Sequence, residues 1–298
     1  MDNSLPHLND KTRELLGASD AERIEAIQSG SWIPYTRAKE VLDHMEELLA
    51  YPRIERMPHM LLVGASNNGK TQILKRFLNQ HPADPNPSGT YAVIPVVMVE
   101  APSSPDPGKL YDRIFEAINQ PYSPRAPIKE KEPILFNVLE KVQLKMLMID
   151  EIQHLIAGGQ VKQREFRNAL KSLGNILKIS IVGAGVEEAF NAFNTDTQLS
   201  NRFEPEFLPK WKMDREFGVL LNTLERRTPL MHPSGLQGNE IARKIYYMSE
   251  GILGEIHEVV KRAAVHAIRS KDERITLDTL DKIRWTQPSK RKTRPAMG

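Results

Sequence analysis

The 298-residue sequence contains no cysteine. That absence excludes a disulfide framework, a thiolate zinc site and a cysteine nucleophile, and it fits a reducing compartment. Long hydrophobic runs are missing too. Those present, such as Ala92 to Val99, are of strand length and well short of the roughly 20 apolar residues of a membrane helix. The first residues, MDNSLPHLND, carry neither a basic region nor an apolar core, so no secretory signal is expected there, and the chain reads as soluble and cytoplasmic. Charge of one sign is also scarce: 41 Lys and Arg face 38 Asp and Glu, a formal net charge of +3. Four of those cations, Lys290, Arg291, Lys292 and Arg294, lie in a C-terminal stretch without acids, and without them the +3 becomes −1 for residues 1–285. The pI of about 8.9 is therefore mostly a property of the tail. Any contact with duplex nucleic acid needs a local patch.

What is present is enough apolar residue, 40%, to fill one large domain or two ordinary ones. Residues 1–50 read as an amphipathic helical arm. Ser19 and Glu22 have capping-box spacing, and Val41, Leu42, Met45, Leu48 and Leu49 recur at the helical period. From residue 51 to 210 strands and helices alternate. Strand runs at Met60–Val63, Ala92–Val99, Met146–Ile149, Ile179–Val182 and Phe203–Leu208 predict an α/β fold, a mostly parallel sheet sandwiched by helices. Seven prolines between 101 and 133 predict short, broken helices in that stretch. Over 211–285 strand signals vanish, and helices at Asp214–Arg226, Glu240–Met248, Glu255–Arg269 and Leu277–Trp285 suggest a small helical lid. Residues 286–298 hold too few apolar groups to order themselves.

The strongest local pattern is Gly64-Ala65-Ser66-Asn67-Asn68-Gly69-Lys70-Thr71, a complete G-x-x-x-x-G-K-[ST] between a strand and a helix. The glycines let backbone N–H groups and a helix N-terminus face a β-phosphate, Lys70 carries its charge to the β and γ phosphates, and the Thr71 hydroxyl can ligate Mg²⁺. Downstream, the apolar strand Met146–Ile149 ends in Asp150-Glu151. Asp150 suits the metal and Glu151 suits a general base that polarises the attacking water. No guanine-reading N-K-x-D motif occurs, which favours ATP. Arg202, just before the strand Phe203–Leu208, is either an arginine finger for a neighbouring subunit's γ-phosphate or an ordinary surface arginine. The eight histidines show no metal spacing; His154, His257 and His266 read as packing or surface residues.

Together, the phosphate loop, the strand ending Asp150-Glu151, Arg202 before a strand and a terminal helical domain resemble an AAA+ ATPase. More narrowly, Trp32-Ile33-Pro34-Tyr35, Gly64–Phe77 (GASNNGKTQILKRF), Leu147–Leu155 (LMIDEIQHL) and Gln198–Phe203 resemble the TniB proteins, relatives of TnsC, over roughly residues 30–285. The resemblance implies an ATP-dependent regulator of DNA transposition that assembles as a homo-oligomeric ring or filament on duplex DNA. It also implies recruitment of a transposase, with a target-selecting adaptor as a further partner. Two family features are absent. Val182–Gly185 offers only Ala184 where a polar residue usually closes the fourth strand, and Glu255 stands where the helical domain usually presents an arginine, with Arg262 two turns along as a candidate substitute. Both departures imply slow hydrolysis. Other AAA+ proteins that handle DNA, such as replication initiators or helicase loaders, would share the site, and a P-loop signalling or scaffold ATPase would share it without DNA.

For DNA, residues 161–178 carry five cations and one acid, and at helical pitch Arg164, Arg167, Lys171 and Lys178 share one stripe opposite Phe166, Leu170, Leu173 and Leu177. A solvated face, a subunit contact and a phosphate-contacting face all fit that pattern. Lys109 and Arg113 are the candidates in 103–131, where TnsC-like relatives contact DNA. No mixture of aromatic and basic residues suggests stacking on single strands, so contacts are expected to the duplex backbone, independent of sequence.

Overall fold

The computed structural model of the chain describes residues 5–30, 32–155, 160–194 and 200–292. In chain order the elements are α1 Asp10–Glu14, α2 Asp20–Ser29, α3 Thr36–Ala50, β1 His59–Gly64, α4 Lys70–Gln80, β2 Val96–Glu100, α5 Pro107–Ala117, α6 Ile128–Lys141, β3 Met146–Asp150, α7 Gln160–Ile176, β4 Ser180–Gly185, α8 Glu187–Asn194 and β5 Phe203–Leu208. There follow α9 Arg215–Glu225, α10 Asn239–Ser249, α11 Leu253–Ser270 and α12 Leu277–Lys282. None of the described helices is long and apolar enough to cross a membrane.

The chain forms two compact units, one of Thr36–Leu208 and one joining Met1–Tyr35 to Pro209–Gly298. In the first, five parallel strands are ordered β2-β3-β4-β1-β5. One strand therefore separates β1, which feeds the phosphate loop, from β3, which ends in the two acids. The three central strands are buried along their whole length, as their apolar runs require when helices cover both faces, whereas edge strand β5 buries only its ends. The core is filled by Leu61, Leu147, Ile149 and Ile181 from the sheet and by Ile114, Leu139, Phe166 and Leu173 from the helices.

Two expectations change here. Strand β2 begins at Val96 rather than at residue 92, because Pro95 has no N–H to pair and Val93 bridges Asp84 instead. The stretch 101–133 is less broken than its prolines suggest: α5 spans 11 residues and α6 spans 14 with Pro133 inside it. Pro107 opens α5, where its missing N–H costs nothing, and α6 continues past Pro133 because Leu135, Phe136 and Leu139 anchor it in the core.

In the second unit, α9 to α12 enclose a core of Phe217, Leu221, Ile245, Ile256, Val260 and Ala264. The capping boxes at Ser19/Glu22 and Thr276/Thr279 both form. Residues 1–35 do not make one arm with α3. Ile27 and Ile33 belong to this unit's core, and buried Arg23 donates to the Pro229 carbonyl (2.7 Å) and forms a two-pronged pair with Glu273. Helix α12 stops at Lys282, where Ile283 turns extended and Trp285 donates its indole N–H to Met248 O (2.8 Å). Ser289–Lys292 form a short 3-10 turn where the composition predicted no order, and the rest of the expected tail, 293–298, lies outside the described residues. Polar contacts replace apolar burial: Arg291 makes a bidentate pair with buried Glu255 (2.9 and 2.7 Å), and its guanidinium lies 4.9 Å from the Trp285 ring centre.

Candidate active site

The phosphate loop leaves β1 at Gly64 and enters α4 at Lys70. Gly69, the N-cap of α4, has φ +93°, a left-handed conformation that glycine adopts without the penalty of a Cβ, and Asn67 takes the neighbouring left-handed position at +61°. Buried Asn68 ties the loop to β5 by donating its side-chain amide to Leu208 O (2.8 Å). The loop is thus braced from below while Ala65 and Ser66 line its outer turn. Lys70 Nζ donates to the carbonyls of Gly64 (2.8 Å) and Ala65 (3.0 Å), folding its ammonium back over the loop. Burial holds that ammonium below its ordinary pKa, and the carboxylates of Glu151 and Asp150 oppose the effect.

Thr71 and Asp150 lie 79 residues apart in sequence, yet the Thr71 hydroxyl donates to Asp150 Oδ2 at 2.6 Å. The other Asp150 oxygen accepts the Glu151 N–H (2.9 Å). Two hard oxygen donors, one in the first turn of α4 and one at the end of β3, fit Mg²⁺, which keeps several waters and needs few protein ligands. Among the described residues no cluster of three or more metal-binding side chains exists, so one hydroxyl and one carboxylate are what the chain offers beside the cradle.

Glu151 sits in the left-handed region (φ +53°), an uncommon conformation for a non-glycine residue that turns its carboxylate away from the strand direction. Its Oε2 accepts the side-chain amide of Gln153, and Gln153 Oε1 in turn accepts the backbone N–H of Val186 (3.4 Å) at the end of β4. Sequence reasoning missed Gln153. The available signal was Gly185: a Cβ there would lie 2.8 Å from Gln153 Oε1, so the glycine clears room for that amide. Ala184 is buried beside Leu62 and offers no polar group, as expected; Gln153 supplies the polar side chain at that end of β4.

Arg202 lies at the opposite end of the sheet. It precedes β5, which runs parallel to β1 with Phe203 opposite His59 and Leu208 opposite Gly64, so about 17–20 Å of strand separates it from its own phosphate loop. Its Nη1 donates to Asn175 Oδ1 (2.6 Å), and it borders a cavity of about 460 Å³ also lined by Arg56, His59 and Asn201. Buried His59 has its pKa lowered to about 4, first by desolvation and then by Arg202, so its ring is neutral; Nδ1 accepts the Ile181 N–H (3.1 Å). Of the DNA candidates, Lys109 and Arg113 are exposed on one face of α5, with Arg113 paired to Glu116 (3.5 Å). On α7 Arg164 is exposed, whereas Arg167 and Lys171 are half-buried and already engaged with other groups.

The Bacterial TniB protein family matches residues 23–213, well over half of the chain and both halves of this site. The chain belongs to the TniB family. No curated protein matches it. Among solved structures, the TniB chain is similar to the Aeropyrum pernix ORC2 protein in its ADPNP–ADP complexes, with a TM-score of 0.61 at 15% identity over 86% of this chain and 70% of that one. It is also similar to Cdc6p from Pyrobaculum aerophilum (0.56, 17%, 84% and 68%) and to Drosophila ORC bound to DNA (0.55, 15%, 95% and 68%). At such identities the likeness is one of fold. The TniB chain has the α/β fold of AAA+ P-loop ATPases.

Proposed function

We propose that this TniB-family protein is an ATPase that regulates DNA transposition by ATP-controlled assembly on duplex DNA in the cytoplasm, recruiting a transposase to the target. The observation that carries the ATPase reading is the Thr71–Asp150 hydrogen bond beside the phosphate loop, with Glu151 next in the chain. The loop N–H groups from Ala65 to Thr71 cradle the β-phosphate, and Lys70 exchanges its two loop carbonyls for phosphate oxygens when nucleotide arrives. Thr71 and Asp150 hold Mg²⁺, which neutralises phosphate charge when bound. Glu151 takes the proton of the attacking water; Gln153 occupies Oε2 and leaves Oε1 for that proton. Arg202 stands too far from its own loop to help there, which supports a role at a neighbour's γ-phosphate in a ring or filament.

The DNA and transposition parts rest on family membership and on exposed cations of α5 and α7, namely Lys109, Arg113 and Arg164, with Arg167 and Lys171 alongside. Retention on duplex DNA with a slowly hydrolysed ATP analogue tests them. Glu151→Gln should trap assemblies on DNA with turnover lowered about 10²-fold or more, and Lys70→Ala should prevent both nucleotide binding and assembly. No retention of the unaltered protein, and no stimulation of its ATPase by DNA, would refute the DNA reading; normal turnover in Glu151→Gln would remove Glu151 from its role.

A further inference from the structure

The helical unit contains a cavity of about 410 Å³ walled by Lys261, Arg262, His266 and Arg269 of α11 and by Lys282 and Arg284 at the end of α12. Its sole acidic lining residue, Glu258, is already paired with Arg262 at 2.7 Å. Lys261 is spent on the Gln28 carbonyl (2.7 Å) and Lys282 on Asp278. The guanidiniums of Arg269 and Arg284 make no hydrogen bond or ion pair among the described residues, and both residues are exposed, while the Arg284 carbonyl accepts from Arg262 Nη1 (3.1 Å). Arg262, His266 and Arg269 recur at i, i+4 and i+7, so they share one face over about 10 Å of helix.

The geometry points to a binding groove for the phosphodiester backbone of duplex nucleic acid. The walls offer little else: Val265 and Ile283 are the apolar residues present, and the nearby Trp285 ring is occupied by the guanidiniums of Arg262 (5.3 Å) and Arg291 (4.9 Å). A protein partner needs a desolvated apolar anchor at the centre of its interface, whereas a polyphosphate needs cations and room. Arginine forks from α11 and from the extended segment after α12 suit phosphate oxygens, which they can grip with paired N–H groups. The ordered tail continues the positive surface with exposed Lys290 beside Arg291. The groove differs from the α7 stripe, where Arg167 and Lys171 are engaged elsewhere.

This inference rests on the DNA reading above and gives it a second surface, so the experiment separates the two. Duplex binding is measured against salt concentration for the full chain with a slowly hydrolysed ATP analogue, for Arg269→Ala/Arg284→Ala, and for Lys109→Ala/Arg113→Ala. The groove variant should bind at least tenfold more weakly at about 0.15 M salt, with the slope of log K against log salt shallower by about 2, and with nucleotide affinity unchanged. If the unaltered protein binds no duplex, both readings fall. If it binds and the groove variant matches it in affinity and slope, the groove is refuted while the DNA reading stands. Loss of binding to poly-glutamate with DNA binding intact would assign the groove to an acidic polypeptide and equally refute the proposal.

Discussion

The carboxyl ends of β1 and β3 and the amino ends of β1 and β5 are two ends of one sheet with opposite designs. At the first, Lys70, Thr71, Asp150 and Glu151 converge on backbone held in left-handed turns at Asn67, Gly69 and Glu151, and every one of these side chains has an internal polar or ionic partner. At the second, a neutral buried histidine supports a half-exposed arginine beside an open cavity, some 17–20 Å from the loop. The first end is a cradle for a ligand, and the second holds a charged donor that Asn175 engages through one nitrogen, beside an open cavity. The difference gives the proposed function its sharpest form: if Arg202 serves a neighbour's cradle, each subunit carries two half-sites, and hydrolysis should depend on pairing the unlike ends of two copies.

The sharpest way to break this comparison is Arg202→Ala. An arginine finger is worth about 10³-fold in turnover, so the variant should lose that much while still binding nucleotide. Mixed with Glu151→Gln subunits, which keep Arg202 but cannot activate water, it should recover activity, because each Glu151→Gln subunit completes an intact cradle next door. ATPase assays of the two variants alone and mixed decide the matter. Full activity in Arg202→Ala would make it the ordinary surface residue that sequence spacing also allowed.

A smaller effect tests how the first end is held. Gln153→Ala frees Glu151 Oε2 and should lower turnover about tenfold with nucleotide affinity unchanged, since Gln153 positions the base and does not meet phosphate. Gly185→Ala should act in the same direction by pushing into the Gln153 amide. Pre-steady-state hydrolysis with separately measured nucleotide binding distinguishes this from a weakened site; equal loss of affinity and turnover would rule out a positioning role.

What the sequence revealed and what it concealed follow the same division. The cradle was legible because its chemistry is local: eight consecutive residues must be of particular types, and an apolar strand must end in acids. The strand order was expected only as far as its parallel sense, and β5 was located to the residue. Features that depend on distant contacts stayed hidden. Arg23 meets Glu273 across 250 positions, Glu255 meets Arg291, and Gln153 reaches β4 through a gap that only Gly185 hints at. Proline counts misled over α6 because core burial by Leu135 and Leu139 outweighs one missing hydrogen bond. The groove on α11 was invisible for a similar reason: Arg262 and Arg284 share a wall only after α11 and α12 pack.

A different kind of effect, on stability rather than turnover, concerns the second end. His59 is held neutral with a folded pKa of about 4 against an ordinary 6.5, so as pH falls below 6.5 the unfolded chain takes up a proton that the folded chain refuses. Stability should therefore be full above pH 6.5 and decline down to about pH 4, by about 3 kcal/mol in total. His59→Asn keeps an acceptor for the Ile181 N–H and removes the titration, so its unfolding free energy should depend less on pH across that window. Denaturant unfolding at pH 7 and pH 4.5 checks this; equal acid losses in both proteins would show that His59 does not titrate as its burial demands. Protonating His59 also sets a second positive charge against Arg202, so acid should disturb the donor end of the sheet as His59 takes up its proton near pH 4.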